Sequence, residues 1–243
     1  MPQRPRTKYG ATRFAHLAAF VVLATLAAGG TGAKETGSFG LFVMYKVGDM
    51  PKYRRLLAEL EENLGNRGCS VSIEGPIKGG QGDIQVQQPN RFIQIRCKRP
   101  LLRDSAGRSV VLKIRRAATN LIALEGPLTL HPIGKSASSR KSRSYIFKVS
   151  HYNNLEPNHR DSEPPAINRL AASRPDSWRE VGAIAVTDAI GMRRPDEVVI
   201  LFYDGPEQAK RFRKNNPDIL KRIGAFNKRH LINFIYYIAS SDR

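Results

Sequence analysis

Much of what usually announces a function is missing from this chain. Its 243 residues contain no Gly-x-Ser-x-Gly elbow and no His-Glu-x-x-His helix, which excludes two common hydrolase arrangements. Cysteine is limited to Cys69 and Cys97. Neither has a second cysteine or histidine at ligand spacing beside it, which disfavours a cysteine-based zinc site. No apolar run reaches the about 20 residues that a membrane-spanning helix needs. No Asn-x-Ser/Thr acceptor occurs, which leans away from a eukaryotic secreted protein. Acid is absent from the first 33 residues. No Arg-Arg pair precedes the first apolar run and no cysteine follows it, which disfavours twin-arginine export and an N-terminal lipid anchor.

What stands at that acid-free start is specific. Arg4, Arg6, Lys8 and Arg13 precede an uncharged apolar run at 17–28, and Thr31 and Ala33 are small. Basic, then apolar, then small-x-small is the pattern of a secretory signal peptide, here 1–33. An uncleaved anchor is the alternative, and an amphipathic transit peptide fits less well. The expected location is periplasmic or extracellular, in a bacterial envelope, with no transmembrane segment in the mature chain. In an oxidising compartment the even pair Cys69 and Cys97 reads as one disulfide. Two buried free thiols are the other reading.

The formal charge is +19. Removing 1–33 takes four of the 40 basic residues and none of the 21 acidic ones, which leaves +15. The basicity therefore belongs to the folded part, and such a field draws in polyanions. The expected partner is an anionic polymer, a membrane surface or an acidic protein, with nucleic acid less favoured.

Apolar periodicity gives an α+β fold, with mixed or antiparallel sheets and helices on one face. A β-rich subdomain at 34–134 is followed by an exposed linker at 135–143, which is almost free of apolar residues. A second, α/β subdomain occupies 144–243. Its order of strand, helix, strand, strand, helix pair and strand is compatible with a ferredoxin-like unit. Tyr53, Leu56, Leu57, Leu60 and Leu64 form one apolar helical stripe, capped by Asp49. The Gly-rich stretch 78–83 reads as a hairpin loop rather than a phosphate cradle, because strand-like alternation follows it. The segments 91–98 and 109–116 read as strands, as do 119–126 and 127–133. Helices open at Pro206 and Pro217. A short helix opens at Pro164 or Pro165. A faint echo relates 42–57 to 200–214. The lone Trp178 reads as core.

Three constellations are candidates for function. If the strands at 91–98 and 109–116 pair, Arg96, Lys98, Lys113 and Arg115 share one face. Like charges opposed across strands repel, and a bound anion would offset this. Lys210, Arg211, Arg213 and Lys214 form a second basic patch, on the outer side of a helix. The third lies where a strand ends in His151 and opens into a polar loop with His159 and Asp161. Asp204 and His230 lie at ends of other strands, and all five could converge for acid–base work. No metal is expected, since the seven-residue gap between His151 and His159 matches no standard site. No cofactor is expected.

The resulting expectation is a non-enzymatic, basic envelope module that binds an anionic partner. The alternative is a small periplasmic hydrolase or transferase working at 151–161. A structural or assembly subunit of an envelope complex is the second alternative.

Overall fold

A computed structural model of the chain describes residues 38–84, 88–133 and 142–242. The expected signal segment and most of the expected linker lie outside the described residues. The first half runs β1 (Phe39–Val47), α1 (Met50–Gly65), β2 (Cys69–Gly82), β3 (Arg91–Cys97), α2 (Ser105–Leu112), a 3₁₀ turn (Lys113–Arg116) and β4 (Ala118–Pro132). The second runs β5 (Ser144–Tyr152), α3 (Pro157–Ala172), β6 (Glu180–Ala185), β7 (Asp188–Ile190), β8 (Glu197–Tyr203), α4 (Pro206–Asn215), α5 (Pro217–His230) and β9 (Leu231–Ser240). The fold is α+β, as expected: a nine-stranded antiparallel sheet with five α-helices among the described residues.

In the second half the strands lie in the order β9-β5-β8-β6. That is fourth, first, third, second, the arrangement of a ferredoxin-like unit. The first half repeats it as β4-β1-β3-β2. The two units close on each other, because β2 pairs with β9 and β4 pairs with β6. Eight strands thus form a ring, and β7 adds to the outside of β4.

Two long strands make the closure by changing partner part-way. β2 pairs with β3 up to Pro76 and with β9 from Ile77. β4 pairs with β1 up to Pro127 and with β6 from Leu128. Both switches carry the same tripeptide, Glu74-Gly75-Pro76 and Glu125-Gly126-Pro127. The prolines have no ladder donor to leave unpaired. The glycines let another backbone pass: a Cβ at Gly126 would stand 1.7 Å from the Ala185 carbonyl oxygen, and one at Gly75 1.9 Å from that of Ser240.

Alternation along each strand makes two faces. Inward residues such as Phe42, Phe92, Tyr145, Phe147 and Tyr237 fill the ring as one core. Outward residues of the first half pack under α1 and α2, and those of the second under α3, α4 and α5. Trp178 is in that second outer core, 1% exposed. Cys69 and Cys97 face each other across β2 and β3 and are joined in a disulfide.

Several local expectations change. The segment 109–116 is not a strand but α2 with its 3₁₀ turn. Asp104 accepts from the backbone N–H of Gly107 and so caps a helix where the sequence reads as a turn. Residues 78–82 are strand, the part of β2 that crosses to β9. The stretches 119–126 and 127–133 are one strand, β4. The echo between 42–57 and 200–214 does not mark equivalent units. It compares β1–α1 with β8–α4, whereas the topological counterpart of β1–α1 is β5–α3.

Candidate functional site

The expected polar loop after His151 is short. Helix α3 begins at Pro157, not at Pro164 or Pro165. Pro157 presets the first helical turn, and Arg160 N–H donates to the Glu156 carbonyl at 2.9 Å. Pro164 and Pro165 lie inside α3, where each removes a backbone donor and crowds the carbonyl four residues before it. Asn154, at φ 56, turns the chain between β5 and α3. Asn153 then ties this turn to the C-terminal end of α5. Its backbone N–H donates to the His230 carbonyl at 2.9 Å, and its Nδ2 to that of Arg229 at 2.6 Å. These are the carbonyls a helix end leaves open.

That clamp brings the start of α3 against the end of α5. His159 Nδ1 lies 3.4 Å from His230 Nε2. Glu163, one turn after His159, places Oε1 2.8 Å from His159 Nδ1 and 3.6 Å from His230 Nε2. Glu156 extends the group, with a carboxylate oxygen within 4.8 Å of a ring nitrogen of each histidine. Arg229 Nη1 donates to Glu163 Oε1 at 2.6 Å and stands 3.4 Å from His159 Nδ1. The His230 side chain is 2% exposed and that of His159 is 51% exposed. The cluster therefore has a fixed, buried imidazole and an open one. Leu155 and Ile232, the two exposed large apolar residues among those described, are chain neighbours of this cluster.

The other expected members do not join it. His151 Nδ1 contacts Asn233 Oδ1 at 2.7 Å, one pairing step across to β9. Asp161 is on α3 but accepts from Arg160 Nε at 2.6 Å. Asp204 is at the far end of β8, where it accepts from Arg179 at 2.7 Å. A seven-residue strand spans about 23 Å, so Asp204 belongs to a different end of the barrel.

Beneath the cluster lies a buried polar group that sequence reasoning missed. Lys148 is 1% and Glu197 6% exposed. Tyr152 OH donates to Glu197 Oε2 at 2.6 Å, and Lys148 Nζ lies 3.4 Å from Asn227 Oδ1. Desolvation pushes the Lys148 ammonium down to about 7, against the pull of the Glu197 charge. Desolvation likewise pushes the Glu197 carboxyl up to about 7, against the Tyr152 hydrogen bond and the Lys148 charge. Arg160 stacks over the Tyr152 ring at 4.6 Å, so this group supports the first turn of α3.

The expected basic face on paired strands does not exist, because Lys113 and Arg115 are in the 3₁₀ turn. Arg96 is on β3 and Lys98 lies just beyond it. Lys113 contacts Asn63 at 3.4 Å. Arg115 instead lines an open groove of about 620 Å³ with Lys46, Lys52 and Arg116. On α4, Lys210 pairs with Glu207 and Arg211 with Asp176, while Arg213 and Lys214 are in the last turn. A second groove, of about 480 Å³, runs along α5 and β9 with Asn227, Leu231, Phe234 and Tyr236 in its wall.

No family model matches this chain, and no curated protein sequence matches it. Its fold is found among solved structures. A putative monooxygenase from Fusobacterium nucleatum aligns with a TM-score of 0.60 at 9% identity, over 86% of this chain and 94% of that one. An anthrone oxidase-like protein aligns at 0.57 and 10% identity, over 84% and 92%. A chlorite dismutase variant from Candidatus Nitrospira defluvii in complex with cyanide aligns at 0.57 and 12% identity, over 86% and 92%. The likeness is one of fold. It nevertheless corrects the expectation of a non-enzymatic binding module, since solved proteins of this fold are named as enzymes.

A large planar cofactor such as haem does not fit between the second-half sheet and its helices. That layer is filled by Trp178, Tyr203, Phe212, Phe226 and Tyr236. The chemistry on offer is that of the cluster itself: two imidazoles and two carboxylates able to hold a proton or a metal ion. Sequence reasoning missed Glu156, Glu163 and Arg229. The four-residue spacing from His159 to Glu163 is a helical signal, visible only once α3 is known to begin at Pro157.

Proposed function

We propose that this chain is an enzyme of redox chemistry, with its reactive centre at His159, Glu163 and His230. One observation carries the reading: groups from α3 and α5, distant in sequence, converge within 2.8–3.6 Å at an open edge. The names of the solved proteins, monooxygenase, anthrone oxidase and chlorite dismutase, favour oxidation over hydrolysis as the class of reaction. The Ser162 hydroxyl donates to the His159 carbonyl at 2.9 Å rather than to an imidazole, so the group holds no serine–histidine pair of the hydrolase kind. In this reading Glu163 orients the open His159 ring, His230 backs it from the buried side, and Leu155 and Ile232 offer an apolar rim to an organic substrate. An anionic substrate or partner would be drawn to the groove of Lys46, Lys52, Arg115 and Arg116.

We also propose that the enzyme works outside the cytoplasm, after export directed by 1–33. The Cys69–Cys97 disulfide supports this, since such bonds persist in oxidising compartments. Oxygen uptake with a panel of phenols and anthrones, oxygen release from chlorite, and product formation in each case test the reaction class. Turnover of one of these supports the redox reading. Hydrolysis of ester or phosphate substrates, with none of the panel turned over, overturns it.

A further inference from the structure

We propose that His159, His230 and Glu163 form a binding site for one divalent first-row transition-metal ion, with Glu156 as a further ligand. This rests on the reading of the same cluster as the reactive centre and names its cofactor. The three donor atoms are His159 Nδ1, His230 Nε2 and Glu163 Oε1, separated by 3.4, 2.8 and 3.6 Å. Ligands bound at about 2.0–2.2 Å stand about 2.9 Å apart at right angles and about 3.4 Å apart at the tetrahedral angle. The triangle therefore has the dimensions of three ligands on one face of a metal. The point equidistant from its corners lies about 1.9 Å from each, so a metal with bonds of about 2.1 Å sits just above that plane. Glu156 brings a carboxylate oxygen within 4.8 Å of a ring nitrogen of each histidine and so supplies a further ligand.

Two imidazoles and one carboxylate with open positions select the metal class. Such a set suits iron(II), and also zinc, cobalt and nickel, while magnesium and calcium prefer all-oxygen sites. The site already attracts a cation, since Arg229 Nη1 occupies the space beside Glu163 Oε1 and His159 Nδ1. The Arg229 side chain is 50% exposed, so it has room to swing aside when a metal enters. Arg229 is thus a competitor for the same donors, and the strongly basic chain adds a further penalty. Affinity must come from the imidazole and carboxylate bonds themselves.

The competing explanation is purely structural: Glu163 and His159 are the partners of an Arg229 ion pair that ties α3 to α5. The two accounts predict opposite effects of removing Arg229. The experiment uses the full chain without a polyhistidine tag, stripped with chelator and titrated with zinc by calorimetry. Cobalt(II) absorption in the visible reports the ligand set. We expect one equivalent to bind, with at least ten-fold weaker affinity in His159→Ala and Glu163→Gln, and several-fold tighter affinity in Arg229→Ala. Circular dichroism and thermal melting check that each variant is folded. If wild type and Arg229→Ala both fail to take one equivalent, the site is overturned. Binding that is indifferent to His159→Ala and Glu163→Gln overturns it equally. Turnover by the metal-free protein that still needs His159 keeps the reactive centre and removes the metal. Stoichiometric metal binding without turnover of any redox substrate does the reverse.

Discussion

Replacing Lys148 with methionine should stabilise this protein, and the gain should depend on pH. Lys148 is buried on the outer face of the second-half sheet, with Glu197 as its charge partner. Burial lowers its ammonium from 10.5 to about 7. The unfolded chain therefore holds this proton more tightly than the folded one between pH 7 and 10.5. The resulting cost is fully present below pH 7 and fades as pH rises to 10.5. A tenfold loss of proton affinity on folding is worth about 1.4 kcal/mol, so the full cost is of order a few kcal/mol.

Glu197 has the mirror-image behaviour. Burial raises it from 4.5 to about 7. Its cost is absent below pH 4.5 and fully present above pH 7. At pH 6 the carboxyl is largely neutral and gives the buried ammonium little attraction. Methionine matches the lysine stem and removes the charge, while forfeiting the Asn227 contact and a weak interaction with the Phe226 ring at 5.8 Å. The net expectation for Lys148→Met at pH 6 is a gain of about 1–3 kcal/mol, the range seen when buried ions give way to apolar groups. For a chain of this size each kcal/mol raises Tm by about 2–4 °C. Urea unfolding from pH 5 to 10 reads the effect, with a gain that shrinks toward pH 10. Glu197→Gln should show its gain above pH 7 instead. A loss of stability at pH 6, or a gain independent of pH, would refute the account of this pair.

Other perturbations follow from the same geometry. Cys69→Ser with Cys97→Ser opens a loop with a sequence separation of 28 and should cost about 3–4 kcal/mol. The stability of the wild type, read by urea unfolding, should fall by the same amount when reductant is added. Gly126→Ala forces a Cβ onto the Ala185 carbonyl and should cost about 3 kcal/mol or more, read as a lower Tm or lost soluble expression. Alanine at Lys46, Lys52, Arg115 and Arg116 together should lower the salt needed to elute the protein from a heparin column; an unchanged elution would remove the groove as an anion site.

The parts of the fold that follow one clear periodicity are legible in the sequence. The stripe from Tyr53 to Leu64 lies on α1, and the continuous apolar runs at 197–203 and 231–240 are strands β8 and β9. The segment at 105–114 is legible two ways. Val110, Leu112 and Ile114 alternate like a strand, while Gly107, Val110, Val111 and Ile114 have the spacing of a helix. The helix is the better match, since those four are the buried residues. Reading it as a strand hid the first ferredoxin-like unit and hence the closed ring. The repeated Glu-Gly-Pro at both partner switches was the available signal of that closure.

The candidate site was half legible for a different reason. His159 and His230 carry no local sign of each other. They meet because Asn153 clamps the end of α5 and α3 starts seven residues before Pro164. Asp204 also sits at a strand end, but at the end the site does not use. Which end of an antiparallel strand faces a given helix terminus is a property of topology, and a single chain's residue pattern does not carry it.

The central claim is that the reactive centre is the cluster joining α3 to α5. The direct measurement is turnover of a redox substrate accepted by the wild type, compared with that of His159→Ala and His230→Gln at equal folded fraction. We expect turnover by each variant to fall by about 100-fold or more, with Tm little changed in His159→Ala. Full turnover by both folded variants would contradict the account.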